Sequence, residues 1–206
     1  MLFSTHTHFL SSVYGLETAV DMIIEAGFPA IDVSLMDVKC AAYGDGYIEL
    51  AKRLKEKADA HGVIFNQAHA PFGGGAENYI NNLIPLFPRV FEFVKLLGVK
   101  TIVVHPIHSM RYEGNEEKLF SDNVKFFESI KHFSEETGVK IGIENMHQVH
   151  PVTKRITDSL YGNPEELARM YDTMNDPDCF TVCLDLGHVA VCGREPDLAK
   201  IGRAHV

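Results

Sequence analysis

Apolar, β-branched runs recur along the chain at 2–5, 30–34, 63–68, 101–105, 139–144 and 180–185, and their length and composition predict six strands. The segments between them carry a different period. Tyr47, Ala51, Leu54 and Ala58 fall at i, i+4, i+7 and i+11, and Leu167, Met170, Tyr171 and Met174 at i, i+3, i+4 and i+7, each stripe marking one face of a helix. Gly27, Gly62, Gly98 and Gly138 each close such a segment just before a strand, where a left-handed residue ends a helix at least cost. Asn163, Pro164 and Glu166 predict a helix start: a side-chain cap, a proline in the first turn and a carboxylate at the third position.

Strict alternation of strand and helix predicts parallel strands with right-handed crossovers, hence a doubly wound sheet or a (β/α)8 TIM barrel. No GxGxxG fingerprint is present. Gly73, Gly74 and Gly75 follow the third strand without a GK[ST] ending, so they read as a βα loop rather than a phosphate cradle. The strands repeat about every 36 residues, so eight units need roughly 280 residues. A chain of 206 residues is therefore expected to hold a barrel truncated after about six βα units. The two unpaired edges of such a sheet favour pairing with another chain, so a homo-oligomer is an expectation. Residues 1–200 are read as one domain. Residues 201–206 are read as a non-native tail, because Ile201 to Val206 is what ATCGGAAGAGCACACGTC encodes, a string similar to a sequencing adapter.

In a barrel of this kind the reactive groups lie where strands end. Strand three ends in Ala68-His69-Ala70-Pro71, strand four in Val104-His105-Pro106, strand five in Ile143-Glu144-Asn145, and strand six in Leu184-Asp185-Leu186-Gly187-His188. Imidazole and carboxylate together suit Mn2+, Co2+, Zn2+ or Fe2+, and a carboxylate-rich site also admits Mg2+. A carboxylate closing an apolar parallel strand, as Glu144 does, needs a strong partner to offset its desolvation. Asp185 with His188 three residues on is the most specific pair.

The segments AHAPF, VVHP, IENM and CLDLGHV, in this order and at these separations, resemble the xylose-isomerase-like TIM barrel superfamily from about Met1 to Lys200. That superfamily includes sugar phosphate isomerases and epimerases and an apurinic-site endonuclease branch. The resemblance implies a divalent-metal-dependent isomerase or epimerase that moves a proton α to a carbonyl through an enediolate, with Mn2+, Mg2+ or Co2+ as cofactor and a sugar or sugar phosphate as substrate. By resemblance, Glu144 is a metal ligand and acid/base carboxylate, Asp185 a second metal ligand, and His188, His105 and His69 substrate-binding residues. In the endonuclease branch the same histidines bind Zn2+. The family's remaining histidine and glutamate ligands, from strands seven and eight, have no counterpart here.

Charge bears on these alternatives. Nineteen basic against twenty-eight acidic residues give a net charge of -9, which argues against nucleic acid as a partner. Lys52, Arg53, Lys55 and Lys57 are mixed with acids on one helical face and read as a solvated surface. His6-Thr7-His8 is similar to the HxH pair of amidohydrolase barrels, a weaker reading that makes the chain a hydrolase of another superfamily. A non-enzymatic reading, a barrel fragment that only binds sugar, is the third class. Cys40, Cys179, Cys183 and Cys192 show no metal or disulfide spacing. No segment reaches the roughly 18 apolar residues of a membrane span and no leader is evident, so a soluble cytoplasmic protein is expected. The polar stretch 147–162 is expected to be a long loop beyond Glu144, with Lys154 or Arg155 contacting substrate.

Overall fold

The six apolar runs pair side by side in sequence order, and a computed structural model describes residues 2–73, 75–150 and 152–194 of the chain. The parallel sheet runs β1 (Ser4–His6), β2 (Ala30–Ser34), β3 (Ile64–His69), β4 (Thr101–Val104), β5 (Lys140–Glu144) and β8 (Phe180–Cys183). Residues 195–206, which include the suspected tail, lie outside the described residues. Among the described residues β1 pairs only with β2 and β8 only with β5, so each end strand presents one unpaired side.

The helices alternate with the strands as the pattern predicts. They are α1 (His8–Tyr14), α2 (Leu16–Glu25), α3 (Tyr47–Ala60), α4 (Gly75–Asn78), α5 (Phe87–Leu96), α6 (Glu116–Thr137), α7 (Pro164–Met174) and α8 (Leu186–Val191). A π turn at Tyr79–Leu83 and a 3-10 turn at Ile84–Leu86 carry the chain from α4 into α5. In order along the chain, α2 packs on α3, α3 on α5, α5 on α6 and α6 on α7. The α3 stripe buries Leu50, Ala51, Leu54 and Ala58, and the α7 stripe buries Leu167, Met170 and Met174. Gly138 ends α6 with φ 72°, in the left-handed region where any other residue bears strain, and Gly27, Gly62 and Gly98 also have positive φ.

Aromatic rings fill the layer between helices and sheet. Phe91 stacks on Phe133 with centroids 5.4 Å apart, and Phe127 meets Phe180 of β8 edge-on at 6.4 Å. Each such burial contributes about 1.5–3 kcal/mol, so α5 and α6 are clamped to the strands whose ends carry the polar residues. No helix among the described residues is long and apolar enough to cross a membrane.

Three local expectations shift. The first strand begins at Ser4 rather than Leu2, because Leu2 and Phe3 are exposed and only residues 4–6 find partners in β2. The stretch 147–162 is not an unstructured loop, since β6 (His147–Val149) and β7 (Ile156–Asp158) pair antiparallel within it. At the start of α7, Asn163 Oδ1 accepts from the Glu165 N–H at 3.1 Å as a cap should. Glu166 does not reach back to Asn163; it accepts from the Tyr161 N–H at 2.8 Å and the Tyr112 hydroxyl at 3.0 Å, which ties the helix to the preceding turn instead.

One irregularity matters for the site. Ile31 lies opposite Phe65, but Asp32 lies opposite Gln67, so Asn66 is an extra residue in β3. Beyond that bulge Ser34 is aligned with His69.

Candidate functional site

Parallel strands point their C-terminal ends the same way, so His69, His105, Glu144 and Asp185, from four consecutive strands of the sheet, converge at one rim. Glu144 is the hub. Its residue is 3% exposed, and its buried Oε2 faces only the His105 imidazole. His105 Nε2 lies 2.7 Å from that oxygen, and His105 Nδ1 is buried without a partner. One ligand atom each from His69, His105 and Glu144 falls within a 4.8 Å sphere of mutual distances, and so does one each from Glu144, Asp185 and His188. Glu144 thus belongs to two ligand groups.

Asn145 arranges the second group. Its side chain accepts from the Asp185 N–H at 2.6 Å and donates to the Asp185 carbonyl oxygen at 3.0 Å, a reciprocal bond between the ends of β5 and β8. The carbonyl oxygen of Asn145 lies 2.7 Å from His188 Nδ1. A carbonyl only accepts, so Nδ1 bears the hydrogen, and in the neutral ring Nε2 is the nitrogen with the lone pair. Asp185 Oδ1 accepts from the His188 N–H at 2.8 Å, capping α8, while Oδ2 stands 3.7 Å from His188 Nε2. Asp185 is therefore both a helix cap and a candidate ligand. Asn145 acts on Asp185 and His188 rather than on Glu144.

The other side of the rim holds a residue with no obvious signal in the sequence. Asp32, buried in β2, accepts from Gln67 Nε2 at 2.9 Å and from His69 Nδ1 at 3.1 Å. His6 Nε2 stands 4.0 Å from the same carboxylate. Burial disfavours the charged form of His69, but the hydrogen bond and charge of Asp32 outweigh it and raise the pKa above the usual value. For His6 burial prevails and the pKa is lowered. His8 does not converge with His6 on one point: its Nδ1 faces Ser34 Oγ at 3.5 Å.

A cavity of about 240 Å³ opens beside His105, lined also by Phe72, Gly73, Tyr79, His108 and His147 among others. Phe72 lies over the His105 ring at a centroid distance of 3.9 Å. His108 Nε2 and His147 Nδ1 are buried without partners, and burial lowers both pKa values, helped by neighbouring imidazoles. His147 opens the polar stretch 147–162 that the sequence places just beyond Glu144, whereas His108 carries no signal because it ends no strand of the main sheet. Lys154 and Arg155 are exposed near the β6–β7 turn and are not among the residues lining the cavity. Among the described residues no cysteine joins the ligand groups.

The donor set suits a divalent metal ion. Two carboxylates and three imidazoles are the oxygen and nitrogen ligands that Mn2+, Co2+ or Zn2+ take. The xylose isomerase-like TIM barrel family model matches residues 20–205. The chain belongs to this family. Among solved structures it is similar to a D-tagatose 3-epimerase-like protein, with TM-score 0.70, 22% identity, and coverage of 95% of this chain and 68% of that one. It is also similar to the probable 3-DHS dehydratase AsbF of Bacillus anthracis, with TM-score 0.71, 14% identity, and coverage of 97% and 68%. A third similar structure, the IOLI protein with a binding zinc atom, has TM-score 0.68, 21% identity, and coverage of 95% and 66%. The xylose isomerase-like chain thus spans about two thirds of the length of each. No curated protein matches it. Family membership carries the TIM-barrel reading of the strands and leaves the HxH amidohydrolase reading without support.

Proposed function

We propose that this chain serves a divalent-metal-dependent sugar or sugar-phosphate isomerase or epimerase. The observation that carries the reading is the buried Glu144 carboxylate, whose Oε2 faces only the His105 imidazole and which is shared by two groups of ligand atoms at the end of β5. Glu144 and Asp185 would hold the ion, with Mn2+, Mg2+ or Co2+ the expected occupants. When bound there, such an ion supplies a Lewis acid for a carbonyl and its neighbouring hydroxyl.

The chain's own groups do the rest. The buried Glu144 carboxylate is placed to take a proton from the carbon next to the carbonyl; its return to the neighbouring carbon of the enediolate gives the isomer, whereas an epimer needs a second acid on the opposite face, the role the resemblance gives to the glutamate of strand eight. With Nδ1 donating to Asn145, the neutral ring of His188 offers the Nε2 lone pair to a substrate hydroxyl. His105 and His69 contact further substrate oxygens, and the cavity lined by Phe72, His108 and His147 combines an apolar ring face with polar nitrogens, the mixture a sugar presents in return.

The test is proton exchange. With Mn2+ or Co2+ and a panel of ketoses and ketose phosphates in D2O, deuterium should enter the position α to the carbonyl of one of them, and Glu144→Gln should abolish it. No incorporation across the panel, together with sugar binding that ignores metal, would replace this reading with that of a binding barrel.

One observation favours a second reading. His69, His105 and Glu144 form a further ligand group that shares Glu144 with the first, as a multinuclear zinc phosphodiesterase of the apurinic-site endonuclease kind needs. The net charge of -9 opposes it. Cleavage of abasic-site DNA with Zn2+, lost on His105→Ala, would establish it.

A further inference from the structure

Asp32 has no task in the chemistry above, yet it is 8% exposed. A carboxylate taken out of water costs several kcal/mol unless it is well paired. Among the described residues its side chain meets no lysine or arginine, only Gln67, His69 and, at longer range, His6. Both of its oxygens are aimed at donors. Oδ2 accepts from Gln67 Nε2 at 2.9 Å, and Oδ1 from His69 Nδ1 at 3.1 Å.

That second bond sets the state of His69. An ionised carboxylate cannot donate, so Nδ1 carries the hydrogen, and in the neutral ring Nε2 is the nitrogen with a lone pair to offer. His69 meets His105 edge-on at a centroid distance of 6.3 Å, and the two histidines and Glu144 bring ligand atoms within 4.8 Å of one another. The backbone enforces the arrangement, because the extra residue in β3 brings Gln67 level with Asp32 and His69 level with Ser34, so that both side chains reach one carboxylate.

We infer that Asp32 is a positioning residue: it fixes the tautomer and ring orientation of His69 so that Nε2 is presented to a divalent cation shared with His105 and Glu144. This rests on the second reading above, in which His69, His105 and Glu144 hold a cation, and so makes His69 a ligand where the first reading gives it a substrate oxygen. Carboxylates behind metal-binding histidines raise their basicity and restrict their motion, and losing one typically weakens metal affinity 10–100-fold. The competing use of the same atoms, a cation held by His6, Asp32 and His69 themselves, would require Nδ1 of His69 to give up its bond to Asp32.

The experiment compares the wild-type chain with Asp32→Asn, His69→Ala and Glu144→Gln. Long-range proton–nitrogen spectra read the His69 tautomer without metal, and Co2+ titrations followed by visible absorption and calorimetry read binding. Asparagine offers one acceptor where two donors point, so the variant should show Nε2–H tautomer, about 10–100-fold weaker Co2+ binding and an altered Co2+ spectrum, while the metal-free protein melts as the wild type does. Wild-type His69 found as the Nε2–H tautomer overturns the inference with no variant needed. Unchanged tautomer and Co2+ affinity in Asp32→Asn, with binding weakened in His69→Ala, overturns the positioning role and leaves the metal reading standing. Co2+ binding indifferent to both His69→Ala and Glu144→Gln overturns the metal reading itself. A second bound Co2+ that Asp32→Asn removes makes the trio a metal site and overturns the inference in its favour.

Discussion

His188 and Asn145 are joined through ring and backbone: the imidazole Nδ1–H donates to the Asn145 carbonyl oxygen at 2.7 Å. Since the Asn145 side chain also brackets the backbone of Asp185, one residue sets two functional groups on a different strand end. Asn145→Ala should leave the Asp185 N–H and carbonyl without their partners. We expect a loss of about 1–3 kcal/mol in denaturant unfolding, together with weaker binding of Mn2+ by calorimetry. Stability lost with metal affinity intact would confine Asn145 to a structural role.

Glu144 is expected to separate stability from binding. Its Oε2 is buried and faces only the His105 imidazole, so Glu144→Gln removes a buried charge and should leave the metal-free melting temperature no lower than that of the wild type. The stabilisation that metal confers, about 2.7 kcal/mol at a hundredfold excess over Kd, should vanish. Thermal scans with and without Co2+ read both effects, and a large drop in the metal-free variant would mean that the His105–Glu144 contact is itself a stabilising ion pair.

Glu166 gives a pH signature away from the site. Burial raises its pKa above the ordinary 4.5, and the bonds from the Tyr161 N–H and the Tyr112 hydroxyl only partly offset this. The folded state therefore holds the proton more tightly than the unfolded one, and the contribution is fully present below about pH 4.5 and lost as pH rises through the folded pKa. The stability of the wild type relative to Glu166→Gln should fall as pH rises above about 4.5. A flat difference in denaturation midpoints over that range would contradict the assignment.

The aromatic layer should bear most of the cost of core damage. Phe127 is fully buried and contacts the rings of Phe126 and Phe180 at centroid distances of 5.0 and 6.4 Å. Phe127→Ala should cost about 3–5 kcal/mol and loosen β8, so that Asp185 at its end also shows faster amide exchange. Equal exchange at Asp185 in both proteins would show that the helix layer does not set the position of this strand end.

Much of this molecule could be read from periodicity alone. The strand and helix stripes report burial directly, and the residues His69, His105, Glu144 and Asp185 stand out because a polar residue at the end of an apolar run is conspicuous. Asp32 was invisible by the same logic: it lies inside a short strand, between Ile31 and Val33, and its partners depend on a bulge that no pattern announces. The hairpin at 147–162 escaped because its strands are three residues each and polar, held by backbone pairing rather than by a buried face. Glu166 fitted a capping motif in spacing, but Tyr112, more than fifty positions away, competed for it.

The extra residue Asn66 ties the chemistry of the rim to simple counting. Side chains on a strand alternate in direction, so removing one residue there, even an unremarkable one, would turn Gln67 and His69 toward the opposite face while every amino acid that matters was still present. In a comparison of relatives, a one-residue gap at this place would separate proteins that share the imidazole from those that merely share the letter H, and a gene carrying it would encode a chain with the right inventory and the wrong frame.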